Sequence, residues 1–457
     1  MTREWGHEME KLRLGYAALS KASWKTAKIS QLMERALGSI RRLPVDLVHA
    51  EGLTATEEDA IRLCAEFRRK DVDVLVLHFA TFPVGAMIPA MLKAIDVPLI
   101  LFANPEEPSS DGLWEQNSFC GANMAAHVLE KMKRKRFFAW GRAEDAAESL
   151  APALKVLGCV KELSGARLGL IGGRAPGFYT SNIDEMKLRA ILGVSVELID
   201  LLEVVEAAKK IQGKAPDSKE RVRKSASGLL CVTENELGLA GSLQQAFSCI
   251  AEKYRLDSMA IRCWPELPDI YGIAPCSVIG MLNDMGLTVS CEGDIPGALS
   301  MMIQKSLSGG SIPFFADLIS FDYNDNTGVL WHCGAAPVSL CRKFSETMLR
   351  RHMRVDGGDR KGLTNEFSLK SGRVTLAKLD EGKSAYRMLV ATGTALDTDK
   401  FMRGNPLRVK FDAPMKRLID TIMTKGFEHH YSLVHADISN ELRSFCEHMD
   451  IEQVFVE

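Results

Sequence analysis

Apolar and polar positions change rhythm twice along the chain. In the first third, nearly unbroken apolar runs alternate with stretches of helical period. "LRLGYAAL", "VDVLVLHFA" and "VPLILFAN" are runs of the first kind, suited to strands buried on both faces of a parallel sheet. "VDLVHAEG" is a shorter strand ending in glycine. Between them, "SWKTAKISQLMERALGSIRRL" places apolar residues at the spacing that gives a helix one apolar face. Thr56 with Asp59 forms a capping pair ahead of "AIRLCAEFRRK". The βαβαβ pattern predicts a doubly wound open sheet. A helical region is expected from about Leu113 to about Leu163.

A second alternating unit begins at "ARLGLIGGRAPGFYT" and continues through "VSVELIDL" and "DSMAIRCW". Thr233 and Glu236 cap its long helix, and it closes on "GLTVSCEGDIPGALSMMIQKSLSGG". From about Ser311 the texture becomes short β-type runs broken by Gly, Asn and Asp, such as "FFADLISFDYNDNTGVLWHCG" and "YRMLVATGTAL". The amphipathic "DISNELRSFCEHMDI" and a last run, "EQVFVE", follow. The expected fold class is α/β, with two doubly wound parallel-sheet domains and a β-rich C-terminal domain. The expected boundaries are 1–165, 166–310 and 311–457.

Composition narrows the function. The chain has 457 residues, 46% hydrophobic and 25% charged, with a formal net charge of −2. No charge field points to nucleic acid or to an anionic membrane surface. The opening "MTREWGHEMEKLRL" carries charge throughout and has no apolar segment of signal-peptide type. The 11 cysteines are scattered singly without a CxxC pair, which argues against a disulfide framework or zinc ribbon. A cytoplasmic location is the expectation.

Three stretches could carry chemistry. The turn "GLIGGRAPG" follows a strand but lacks GxGxxG spacing, so it reads as a tight βα turn and not as a dinucleotide site. "HAD" (His435–Asp437) has no suitably separated histidine downstream to complete an iron triad. The third is a set of Glu, Asp and His residues from separate elements. Glu292 sits at the carboxyl end of an apolar run, where open α/β sheets bind ligands. Asp317, His332 and the pair His429–His430 follow. Such a donor set suits a hard divalent cation such as Mn²⁺ or Mg²⁺.

Five segments resemble the L-fucose isomerase and L-arabinose isomerase superfamily of metal-dependent sugar isomerases. They are "CEGDIPGALSMMIQKSLSG", "PFFADL", "WHCG", "NEFSLKSGRVTLAKL" and "HHYSLVHADISNELRSFCEHMDI". The resemblance covers the second half of the chain; over the first 160 residues only the α/β pattern is shared. It implies an intramolecular oxidoreductase of carbohydrate metabolism that interconverts an aldose and a ketose through a cis-enediolate. Glu292, Asp317 and His430 are the implied metal ligands, for Mn²⁺ with Mg²⁺ or Co²⁺ as alternatives. Glu292 and Asp317 are also the implied proton carriers. His332 is implied as a fourth ligand or a substrate contact, and His429 faces the sugar. Asp294 is implied to support Glu292 from behind and is counted with the substrate-binding residues, and Arg174 and Arg262 are candidates to meet an anionic group on the sugar. The implied assembly is a trimer or hexamer. A nicotinamide-dependent sugar oxidoreductase and a non-catalytic sugar-binding protein are the competing functions.

Overall fold

The computed structural model describes residues 11–83, 85–107, 112, 114–353, 359–382 and 385–457. Residues 1–10, where most of the opening charged stretch lies, and Leu113 fall outside them. The described chain divides into two compact units, one up to Gly158 and one from Cys159 to Glu457.

The first unit runs β1 (Arg13–Leu19), α1 (Ala27–Ile40), β2 (Asp46–His49), α2 (Glu57–Arg69), β3 (Val74–Phe79), α3 (Met87–Ala94), β4 (Leu99–Ala103), α4 (Ser118–Lys131) and β5 (Phe137–Trp140). Helix α5 (Ala146–Ser164) carries the chain across the boundary. The strands form one parallel sheet in the order β2-β1-β3-β4-β5. β3 and β4 are buried at every position, as their unbroken apolar runs predict. Thr56 accepts from the Asp59 N–H at 3.1 Å. The region read as continuous helix from about Leu113 is interrupted by β5. Its "FFAW" is too short to show a strand rhythm.

The second unit opens with β6 (Arg167–Ile171), α6 (Glu185–Leu192), β7 (Ser195–Ile199), α7 (Leu201–Ile211), α8 (Pro216–Lys224), β8 (Gly228–Leu230), α9 (Glu234–Tyr254), β9 (Ser258–Ile261), α10 (Cys276–Asp284), β10 (Thr288–Ser290) and α11 (Ile295–Leu307). β10, β9, β6 and β7 form a four-stranded parallel sheet. At α9, Thr233 and Glu236 close a full capping box.

Next come β11 (Phe314–Asp322), β12 (Thr327–His332), β13 (Met348–Met353), β14 (Asp359–Glu366), β15 (Gly372–Glu381), β16 (Tyr386–Ala395), β17 (Asn405–Phe411), α12 (Met415–Lys425), β18 (His430–Val434), α13 (Ser439–Met449) and β19 (Glu452–Val456). The order β15-β18-β11-β12-β17-β16-β19 is joined by a β15–β16 pairing, which closes the first six strands into a ring. Leu330, Leu376, Leu389 and Leu407 fill its core. β8, β13 and β14 form a separate small sheet.

Two features aim the sheet ends. Glu292 and Gly293 both have positive φ, 61° and 68°, so the chain turns sharply between β10 and α11. The turn is clamped: Gly293 N–H donates to Ile261 at 3.0 Å, and Ala175 N–H donates to the Glu292 carbonyl at 3.2 Å. A Cβ on Gly293 would lie 2.4 Å from the Gly173 carbonyl oxygen. The glycines of "GLIGGRAPG" therefore make room for this turn. Gly293→Ala should destabilise the protein by at least about 1–3 kcal/mol, the cost of holding a strained backbone. Chemical denaturation checks it; an unchanged midpoint would mean that the clamp does not constrain the turn.

Candidate active site

The site is built where the parallel sheet meets three neighbouring strands of the ring. β15, β18 and β11 are adjacent, and Asp317 on β11 pairs directly with His430 on β18. Side chains so paired share a face of the sheet. Glu292 arrives from the strained turn after β10. His430 Nε2 lies 2.8 Å from Glu292 Oε2 and 3.6 Å from Asp317 Oδ1.

Asp294 is the N-cap of α11, and its Oδ1 accepts from Gly297 N–H at 2.8 Å. Its Oδ2 accepts from His430 Nδ1 at 3.0 Å and from Lys378 Nζ at 3.2 Å. Lys378 also pairs with Glu428. Lys378 and Asp294 have fully buried side chains, and Glu428 retains only 4% exposure. α11 is bolted to the ring by further polar contacts. Ser300 Oγ accepts from Leu379 N–H at 2.8 Å, Gln304 Nε2 donates to Thr375 at 2.9 Å, and Ser432 Oγ donates to Gln304 Oε1 at 2.6 Å.

These contacts set the charge states. Burial alone would raise the Asp294 carboxyl, but Lys378 and His430 hold it well below the usual range. Burial would also raise Glu292, yet hydrogen bonds from His430, and from Trp264 Nε1 at 3.1 Å, bring it below its ordinary value. Burial works against protonated His430, but Asp294 and Glu292 overcome it and lift the imidazole to about 9. Burial lowers the Lys378 ammonium, with Asp294 opposing.

His429 lies in the bend just before β18, so strand alternation does not turn it to the far face, and the two imidazole centroids are 4.0 Å apart. His430 is 1% exposed and His429 52%. Burial and the neighbouring His430 lower the His429 imidazole. Phe178 and Phe315 flank His430, with ring centroids 6.0 and 4.7 Å away.

The donor groups fit a divalent cation. Glu292, His429 and His430 offer ligand atoms all within 4.8 Å of one another. Asp317 falls outside that set but reaches His430 Nε2, and its Oδ1 is buried without a hydrogen-bond partner among the described residues. His430 Nε2 is common to both groupings. Its Nδ1 bond to Asp294 fixes the tautomer that leaves Nε2 for a metal.

Glu292, Asp317, His332 and His429 line a cavity of about 660 Å³, together with Phe178, Trp264 and Trp331. His332 ends β12. Burial would lower its imidazole, but Cys333, Asp317 and Glu292 raise it. Three expected sugar contacts lie elsewhere. Asp294 is wholly buried and serves His430 instead. The Arg262 guanidinium binds Glu266, with Nε at 2.8 Å, and lines a different cavity beside Gly172 and Asp200. Arg174 stacks on Tyr179, 4.7 Å from the ring centroid, and is not among the residues lining the Glu292 cavity. A run such as "IRCWPE" offers an arginine but not its direction, and Glu266 one turn later captures it.

Lys378, Glu428 and Trp264 escaped the sequence reading. Lys378 had a signal: a lone lysine in the apolar alternation of "VTLAKL" needs a buried partner. Lys378→Met strands two buried carboxylates, and should cost about 3–5 kcal/mol. Urea unfolding checks this; a loss under about 1 kcal/mol would mean the ammonium does not compensate them.

Residues 330–456 match the L-fucose isomerase C-terminal domain family. Residues 18–163 match the fucose/sulfoquinovose isomerase N-terminal domain family. A sulfoquinovose isomerase of Alkalicoccus urumqiensis is 32% identical over 84% of this chain and 86% of its own length. One of Priestia aryabhattai is 29% identical over 89% and 90%. Among solved structures, a periplasmic solute-binding protein from Actinobacillus succinogenes 130z covers 66% of this chain and 93% of its own, at 12% identity and a TM-score of only 0.18.

Proposed function

The chain belongs to the fucose isomerase-like family and is an aldose–ketose isomerase; from that premise we propose that it uses a divalent cation, foremost Mn²⁺, to isomerise sulfoquinovose to its ketose. The substrate is taken from the names of the two relatives. The cation is supported by one observation above all. Glu292, Asp294, Asp317 and Glu428 converge on His430 while Lys378 is the one ammonium among them. Buried charge of one sign must be compensated. Two carboxylates with imidazole suit Mn²⁺ or Mg²⁺ better than Zn²⁺, which favours softer ligands.

Glu292, Asp317 and His430, with His429 as a further donor, would hold the cation. When bound, it would polarise the sugar's carbonyl and hydroxyl oxygens and stabilise enediolate charge. The chain's own groups handle the proton. Without a cation, Glu292 accepts from Trp264 Nε1 on Oε1 and from His430 Nε2 on Oε2; with His430 given to a cation, the Trp264 bond remains to fix its direction. Asp317 keeps a bare oxygen, Oδ1, and so is free to take a proton from C2 and return it to C1. Phe178, Trp264 and Trp331 wall the cavity and limit water there.

Four measurements test this. Exhaustive EDTA treatment should abolish ketose formation from sulfoquinovose by NMR, and Mn²⁺ should restore it; full turnover without metal overturns the cation, and ketose from fucose or arabinose alone overturns the substrate. Glu292→Gln and Asp317→Asn should each lower kcat by about 10²–10⁴-fold or more, the contribution of general-base catalysis. In D₂O the ketose product should carry deuterium at C1, whereas an unlabelled product would indicate a hydride shift. His430→Ala should lose bound Mn²⁺, while His429→Ala should retain it and raise KM; metal stoichiometries in the opposite order would exchange the two roles.

A further inference from the structure

The Glu292 cavity has a second chemical face. Cys276, at the start of α10, Cys333, just after β12, and His352, on β13, all line it. Each offers a ligand atom, and these atoms lie within 4.8 Å of one another. The sulfurs are 3.7 Å apart. A tetrahedral cation with bonds of about 2.3 Å to two thiolates needs sulfurs about 3.8 Å apart. The pair thus stands at the edge length of such a site. The nearby Cys263–Cys291 pair, at 3.0 Å, is too close for that geometry.

His352 supplies the second observation. Its Nδ1 is buried and has no hydrogen-bond partner among the described residues, although a buried ring nitrogen ordinarily has one. We propose that Cys276, Cys333 and His352 form a soft-metal site, for Zn²⁺ or a cation of like preference, in the wall of the sugar cavity. Two sulfurs and one imidazole are soft donors, which select Zn²⁺ over the hard cations suited to Glu292 and Asp317. The three ligands leave a fourth position for water or another group. His332 Nδ1 stands next to it, 3.5 Å from Cys333 Sγ. Binding of M²⁺ by the two cysteines as thiolates displaces both S–H protons, which leave to solvent. Because the ligands line the cavity, a cation bound there shares its space with whatever the carboxylates bind.

Co²⁺ titration of the reduced, EDTA-treated full-length protein tests the site. Thiolate ligation should produce a sulfur-to-cobalt charge-transfer band in the near ultraviolet and strong tetrahedral bands in the visible, saturating at one equivalent. Cys276→Ser and Cys333→Ser should each abolish the charge-transfer band, and His352→Ala should weaken Co²⁺ binding about tenfold or more. Glu292→Gln should keep the band, which separates this site from the carboxylates and makes the result independent of turnover. Cadmium NMR of the wild type reports two sulfur ligands without any substitution, and so still decides the matter should a serine variant not fold. A wild-type spectrum without the thiolate band, or a band that survives in both serine variants, overturns the proposal. So does a cadmium signal of oxygen and nitrogen ligation only.

Discussion

The site hangs on one carboxylate, that of Asp294. One of its oxygens caps α11 through Gly297, and the other holds both His430 and Lys378. It is thus the joint between a helix that follows the parallel sheet and two strands of the closed ring. Its negative charge sits at a helix N-terminus, where the backbone dipoles favour it. The same charge orients His430 and leaves Nε2 directed at Glu292 and Asp317. Removing it would free the helix end, the ammonium and the imidazole together, so its effects would not divide into separate contacts.

The remaining groups are held with unequal firmness. Asp317 and His430 are opposite residues of one antiparallel ladder, so their separation is set by backbone pairing. Glu292 depends on a turn with two consecutive positive φ values, packed on the Gly173–Arg174 backbone. Strain of this kind persists only where surrounding structure over-determines it. The bonds from Ile261 and Ala175 do so here. A change in the glycine-rich turn after β6 would therefore move Glu292 while leaving the Asp317–His430 pair in register.

Much of this was legible in the sequence. Unbroken apolar runs marked β3 and β4, and capping residues marked α2 and α9. Glu292, His332 and His430 lie at or beside strand ends, where a period-2 chain must stop and turn, and Asp317, within β11, joins them through its pairing with His430. What the sequence hid is of another kind. Closure of the ring depends on the β15–β16 pairing and on β18 arriving between β15 and β11, non-local facts with no local signature. Arg262 and Arg174 carried the right charge for an anion, but a cation's direction is decided by its nearest partner, and each found one on its own side of the turn. Asp294 looked like a neighbour of Glu292; helix capping turned it inward.

That inward turn also accounts for the placement of Lys378. A buried ammonium is tolerated where carboxylates meet it, and here Asp294 and Glu428 do. The single ammonium balances one of the four negative charges near His430 and is shared between Asp294 and Glu428. Glu292 and Asp317 are the two carboxylates that line the cavity. The interior thus meets its structural carboxylates with a fixed lysine and leaves the cavity carboxylates to an exchangeable positive charge. In the protein alone that charge is the proton on His430, held to about 9. A divalent cation held by Glu292, Asp317 and His430 would take its place, so proton and metal would compete for His430 Nε2.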